Sequence, residues 1–179
     1  IENARRYEET QQLLGDAYTL FDIAGLFTET RNLDELLKLI ADQSLERIQA
    51  ADRVVIHLLD ETSGRLERQM RLPPSEGGSK APGGFAVGEG IAGLVLQEGR
   101  PINVPDVQTE EAFVERDIPA GALFVAPISR HSTCIGTISV ASPQINAFRR
   151  RDERFLTSLA NLAAFAIENA RLFEAEKAR

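Results

Sequence analysis

Apolar residues recur along this chain first at the helical period, then in short dense runs, then at the helical period again. In residues 1–27, which carry no Pro and no Gly before Gly15, Tyr7, Leu14, Ala17, Phe21 and Ala24 follow one another at spacings of three, four and seven. Leu13, Leu20 and Phe27 stand beside them and widen the stripe. A stripe that wide predicts an amphipathic helix packed by more than one partner. A second helix is predicted from about Asn32, which has capping-box spacing to Glu35. Leu33, Leu36, Leu37, Ile40, Leu45 and Ile48 form its apolar face.

Ala51-Asp52 ends that rhythm, and residues 53–59 read as a strand with almost no alternation, a pattern expected where both sheet faces are covered. The turn residues Asp60 to Gly64 lead into residues 65–72, where Leu66, Arg68, Met70 and Leu72 alternate with polar neighbours, so a hairpin is predicted. Residues 73–84 are rich in Pro, Gly and Ser and read as a loop, either a plain insertion or a lid. A short helix follows over residues 91–98 with Gly99 as its cap, then a short strand at 101–104 and an irregular acidic stretch at 106–121. Two apolar strands, 122–128 and 134–141, form a second hairpin, and a last helix runs from about Arg151. Leu156, Leu159, Ala163, Ala166, Ala170 and Phe173 step along it by three and four, a seam suited to close helix packing. Central strands with helices at both ends predict an α+β domain on an antiparallel sheet.

The 179 residues suit one core, and 43% hydrophobic with 26% charged residues argues against disorder. Twenty basic against twenty-seven acidic residues give a net charge of −7, which disfavours nucleic acid or an anionic membrane as partner. No apolar run is long enough to span a bilayer. The single cysteine, Cys134, excludes an internal disulfide, and a reduced, cytoplasmic setting is expected. The chain opens at Ile1, inside a predicted helix, as a piece of a longer protein would. Ile1-Glu2-Asn3-Ala4-Arg5 is repeated as Ile167-Glu168-Asn169-Ala170-Arg171, a period of 166 residues counted from 1 to 167. That echo is expected if the first turns end the last helix of a preceding copy in a tandem array.

Val87-Gly88-Glu89-Gly90-Ile91-Ala92-Gly93 and Gly99-Arg100-Pro101-Ile102-Asn103-Val104-Pro105-Asp106-Val107 resemble the central signature of GAF domains. Leu123 to Ile128, Ile135 to Val140, then Phe148, Asp152 and Ala166 to Arg171 continue the resemblance in order, over roughly residues 30–173. It implies a central antiparallel sheet with the terminal helices on one face and a ligand pocket on the other. It also implies a non-enzymatic sensor or dimerising module of a signalling protein such as a sensor histidine kinase. The expected organisation is an incoming connector at 1–30, the GAF-like domain at 31–170 and an outgoing connector at 171–179. Expected partners are a second copy, joined in a homodimer through coiled-coil-like terminal helices, neighbouring GAF or output domains, and a small molecule. A ligand-free dimerisation module is the alternative.

From the resemblance, the pocket residues are expected to be Phe85, Ile91, Asp106, Phe113, Phe124 and Ser139, with His57 as a further member. Leu14, Phe21, Leu156, Leu159, Ala163, Ala166, Ala170 and Phe173 are the expected dimer residues. The cofactor is left unknown. Phe148, Asp152 and Glu153 match half of the cyclic-nucleotide pattern, but Ser142-Pro143 stands where its Asn-Lys pair would fall. Cys134, followed by Ile135, does not match a bilin attachment site. Free methionine sulfoxide reductases share the fold, yet one cysteine cannot run their disulfide chemistry. His57, amid Val55, Ile56, Leu58 and Leu59, is either a satisfied core histidine or a ligand, haem included. Gly88, Gly90 and Gly93 spell Gly-x-Gly-x-x-Gly outside any βαβ unit, so a structural turn is the reading preferred over a nucleotide loop.

Overall fold

The computed structural model describes residues 1–74, 84–114 and 120–179. Most of the loop at 73–84, and with it the question of a lid, lies outside the described residues. Among the described residues, nine α-helices and β-strands follow in order: α1 (Glu2–Glu29), α2 (Leu33–Arg47), β1 (Arg53–Asp60), β2 (Arg65–Leu72), α3 (Gly90–Glu98), β3 (Ile102–Val104), β4 (Ala122–Arg130), β5 (Thr133–Ser142) and α4 (Arg150–Lys177). One five-stranded sheet has the order β2-β1-β5-β4-β3, and every pairing is antiparallel. This is the expected α+β fold.

Alternation along the strands divides the residues between two layers. Val54, Ile56 and Leu58 of β1, Phe124, Ala126 and Ile128 of β4, and Ile138 and Val140 of β5 join one core with α1, α2 and α4. Val125 and Leu66 belong to a second cluster with Ile91, Ala92 and Val95 of α3. The weak alternation of β1, apolar on both sides of His57, is thus explained, since each face of the sheet is covered.

The start of α2 follows its sequence signal, and the start of α4 is capped as well. Asn32 caps α2, its side chain accepting from the Glu35 N–H at 3.1 Å. The Asp152 carboxylate accepts from the Arg149 N–H at 3.0 Å at the start of α4. α1 and α4 lie side by side and point the same way. Asp16 bonds Arg151 at 3.2 Å near the start of α4, and the Arg31 guanidinium stacks 5.2 Å above the Phe173 ring near its end. Residues 1–15 of α1 are exposed throughout.

β2 departs from the simple alternation expected. Ile56 pairs with Met70 but His57 pairs with Arg68, so Gln69 is an extra residue in the strand. The bulge changes the face presented: Leu66 packs with α3, whereas Met70 and Leu72 pack with the helical core.

Candidate functional site

On the face opposite α1, α2 and α4, the sheet and α3 border a cavity of about 90 Å³. β1 contributes Arg53, Val55 and His57, β5 contributes Ser139 and Ala141, and β4 contributes Leu123 and Val125. Arg68 of β2, Ile91 and Ala92 of α3, and Phe85, Phe113, Val114 and Ala120 from the connections complete the wall.

Phe85 is held by its backbone, which exchanges hydrogen bonds with Leu66 at 2.8 and 3.0 Å and so extends the sheet by one bridge. Its ring meets the His57 imidazole edge-on, with centroids 5.3 Å apart and planes at 69°. The ring of Phe85 also lies against Gly90, where φ is +65° and an added Cβ would come within 2.8 Å of the ring. At Gly93 an added Cβ would meet the Ala86 carbonyl oxygen at 2.4 Å, and the Gly88 N–H donates to the Gly93 carbonyl at 2.9 Å. The Gly-x-Gly-x-x-Gly run thus works as a tight turn that seats α3 and Phe85.

Five expected pocket residues, His57, Phe85, Ile91, Phe113 and Ser139, line the cavity together. Two do not. Phe124 is 1% exposed within the helix-side core, because strand parity gives the cavity its neighbours Leu123 and Val125. Asp106 caps the 3-10 turn Val107–Thr109, accepting from the Gln108 N–H at 3.0 Å. Sequence reasoning missed Arg53 and Arg68. Given His57, the period of two along β1 points to Arg53, while the bulge hides Arg68.

The partial cyclic-nucleotide pattern is occupied elsewhere. Phe148 belongs to the helix-side core, Asp152 caps α4, and Glu153 accepts from the Asn103 amide at 2.6 Å. The cavity, about 90 Å³, is small beside the ~300–1,000 Å³ typical of sites for drug-sized ligands. Cys134 sits at the hairpin and donates from Sγ to the Gly136 carbonyl at 3.1 Å.

The expected dimer seam needs a larger correction. Leu156, Leu159 and Ala163 are 0% exposed, Ala166 is 8% and Ala170 is 3%; all five pack into the protein's own core. The small residues of α4 serve close approach to its own sheet and helices, while Ala166 and Ala170 also border an open groove. Phe173 is half-buried beneath Arg31 and Lys177. Leu14 and Phe21 are exposed, as are Tyr7, Tyr18, Phe165 and Leu172. A groove of about 570 Å³ between the end of α1 and α4 is lined by Ala24, Phe27, Leu162, Phe165, Leu172 and Phe173, among others.

A sheet with terminal helices on one face and a small cavity beside a short helix on the other defines an α+β domain. The chain belongs to the GAF domain family, whose model matches residues 30–168. It is 29% identical over 160 residues to nitrogen fixation protein VnfA of Azotobacter vinelandii, covering 83% of this chain and 30% of that protein. The chain therefore spans under a third of this relative. The GAF domain of a phosphoenolpyruvate-protein phosphotransferase from Coxiella burnetii superposes with a TM-score of 0.79 at 22% identity, over 90% of this chain and 98% of that one. The free methionine-R-sulfoxide reductase of Neisseria meningitidis superposes with a TM-score of 0.73 at 20% identity, over 86% of this chain and 89% of that one. The same fold therefore also carries an enzyme. No helix among the described residues is long and apolar enough to cross a membrane.

Proposed function

We propose that this protein is the sensory and dimerising unit of a larger signalling protein, in which occupancy of the cavity biases the arrangement of α1 and α4. Alternation along β1 and β5 carries this reading. Arg53, Val55, His57, Ser139 and Ala141 line the cavity, while Val54, Ile56, Ile138 and Val140 lie beneath the helices. One strand layer separates the two, and packed layers respond as discrete arrangements rather than by gradual deformation. An occupant that fits one arrangement better shifts the population by its difference in affinity.

The parallel course of α1 and α4 supports a relay. The incoming chain arrives at one pole and the outgoing chain leaves at the other, so residues 1–30 and 171–179 act as connectors. A further GAF domain, or an output domain such as a histidine kinase, would attach at those poles. The partner of the exposed helical face is a second copy of this chain. Tyr7, Leu14 and Phe21 stand seven residues apart on α1, and Phe165 and Leu172 stand seven apart on α4. That spacing is self-complementary in a coiled-coil-like dimer. The smallness of the cavity favours one second reading, a dimerisation module whose pocket is filled by its own side chains.

Sedimentation velocity tests the dimer face. The unaltered protein is expected to sediment as a dimer at micromolar concentration. Phe21→Glu and Phe165→Glu are each expected to give a monomer with an unchanged circular dichroism spectrum. A monomeric unaltered protein, or a dimer that tolerates both substitutions, contradicts the proposal.

A further inference from the structure

Ile1-Glu2-Asn3-Ala4-Arg5-Arg6-Tyr7-Glu8 matches Ile167-Glu168-Asn169-Ala170-Arg171-Leu172-Phe173-Glu174 position by position, and the structure shows what the second copy does. Ile167 and Ala170 are buried in the helix-side core, at 0% and 3% exposure. Glu168 pairs with Arg130 of β4, and Glu174 accepts from the Leu33 N–H at 3.2 Å at the start of α2. Phe173 is half-buried, with the Arg31 guanidinium 5.2 Å above its ring. These are the turns by which α4 is seated on its domain. The two copies differ in kind only at Arg6 against Leu172, and Leu172 is 64% exposed in the seated copy. The difference thus falls where the seat makes no demand.

The first copy carries the same side chains into solvent. Residues 1–15 are exposed throughout, and α1 is tied to its own domain from Asp16 onward, through Arg151 and then through Leu20, Ile23 and Phe27. At about 100° per residue, the face of Ile1, Ala4 and Tyr7 lies roughly 130° around the helix from the face of Asp16, Leu20, Ile23 and Phe27. One helix can therefore be seated on two domains at once, one at each end. Tyr7 stands on the edge of its face nearest Leu14 and Phe21. Its counterpart Phe173 is half-buried, so the same ring can meet both a domain and the dimer stripe.

We propose that residues 1–8 are the closing turns of a second domain of this same fold, upstream in the chain. Ile1 and Ala4 are buried in that domain's core, and α1 runs unbroken from it into this one. The proposal rests on the reading of residues 1–30 as the incoming connector, and it names what the connector joins and by which side chains. The partner has this fold because the side chains on offer are those that α2, β4 and the helix-side core receive from α4 here.

Twin substitutions, Ala4→Glu and Ala170→Glu, test this in the 179-residue protein and in the natural chain extended upstream by at least the 166 residues of the repeat. In the 179-residue protein, Ala170→Glu is expected to lower the melting temperature by about 5 °C or more, and Ala4→Glu to leave it unchanged. In the extended chain, Ala4→Glu is expected to lower the transition of the upstream domain by a similar amount while the transition of this domain stays in place. An extended chain indifferent to Ala4→Glu overturns the proposal, and so does an upstream segment with no folding transition of its own. Amide hydrogen exchange of the extended chain carrying Phe21→Glu separates this seat from the dimer. Residues 2–8 are expected to exchange at least about tenfold more slowly than residues 9–15 of the same helix, because only the former are seated on a domain. Equal exchange in the two stretches overturns the proposal. The dimeric relay is judged separately, by sedimentation of the 179-residue protein and its Phe21→Glu variant.

Discussion

His131 and Ser132 close the β4–β5 hairpin, and both have positive φ, 48° and 65°. A two-residue hairpin loop of that shape favours Asn-Gly; His at the first position is among the L residues that enter the left-handed region more often, whereas Ser at the second has no such preference. The sequence carries no Asn-Gly here, so the strands were expected to stop at 128 and 134, whereas they run to Arg130 and from Thr133. Replacing His131 by Asn together with Ser132 by Gly is expected to raise stability by about 1 kcal/mol, measured by urea denaturation. At the cavity the same scale explains what was legible. Phe85, Ile91, Phe113 and Ser139 came from their position relative to a recognisable motif. Phe124 did not follow, because one step along a strand exchanges the two faces. Asp106 was misread because a carboxylate near a pocket and a carboxylate capping a turn look alike in sequence.

Among the elements, α4 had the most legible pattern and the least legible role. Its three- and four-residue spacing predicted a packed seam, and a packed seam exists, but Leu156, Leu159, Ala163, Ala166 and Ala170 meet their own domain. Periodicity reports that a face is buried and says nothing about which chain buries it. Ala163→Glu is therefore expected to unfold the protein rather than dissociate a dimer. It buries a carboxylate at a site with no exposure, a cost above about 4 kcal/mol, against a total stability of ~5–15 kcal/mol. Loss of the thermal transition in circular dichroism is the expected readout, and a folded monomer would contradict it. At the other end of α4, Asp16 raises the Arg151 guanidinium above its ordinary value, through a hydrogen bond first and charge second. A raised value contributes stability below the arginine's unfolded value, as long as Asp16 is ionised, and is lost as the pH rises into strong alkali. The pair is exposed on the arginine side, so it positions α1 more than it stabilises the fold. The Gln69 bulge left no sequence signal at all, and it alone turns Arg68 toward the cavity while Met70 turns to the helices.

For the whole molecule, the order of helices and strands was legible because each stretch of the chain has one dominant period. The assignment of faces was not, because it depends on parity and on the bulge. What results is a sheet read from both sides, with a largely apolar cavity on one and a helix pair that carries the chain in and out on the other. Arg130 ties the two layers at the hairpin end, pairing with Glu168 and stacking 4.8 Å over the Phe165 ring on α4. Coupling across such a layer requires a physical element with two arrangements, and α1 with α4 is that element in this account. The most direct measurement is amide hydrogen exchange of α1 and α4 in the unaltered protein and in Ala141→Leu, which adds three carbons to a cavity of about 90 Å³ and acts as a built-in occupant. The account predicts that exchange in residues 2–29 changes several-fold in the variant, together with the cavity strands. Exchange altered only in β5 and α3, with α1 and α4 unchanged, would contradict it.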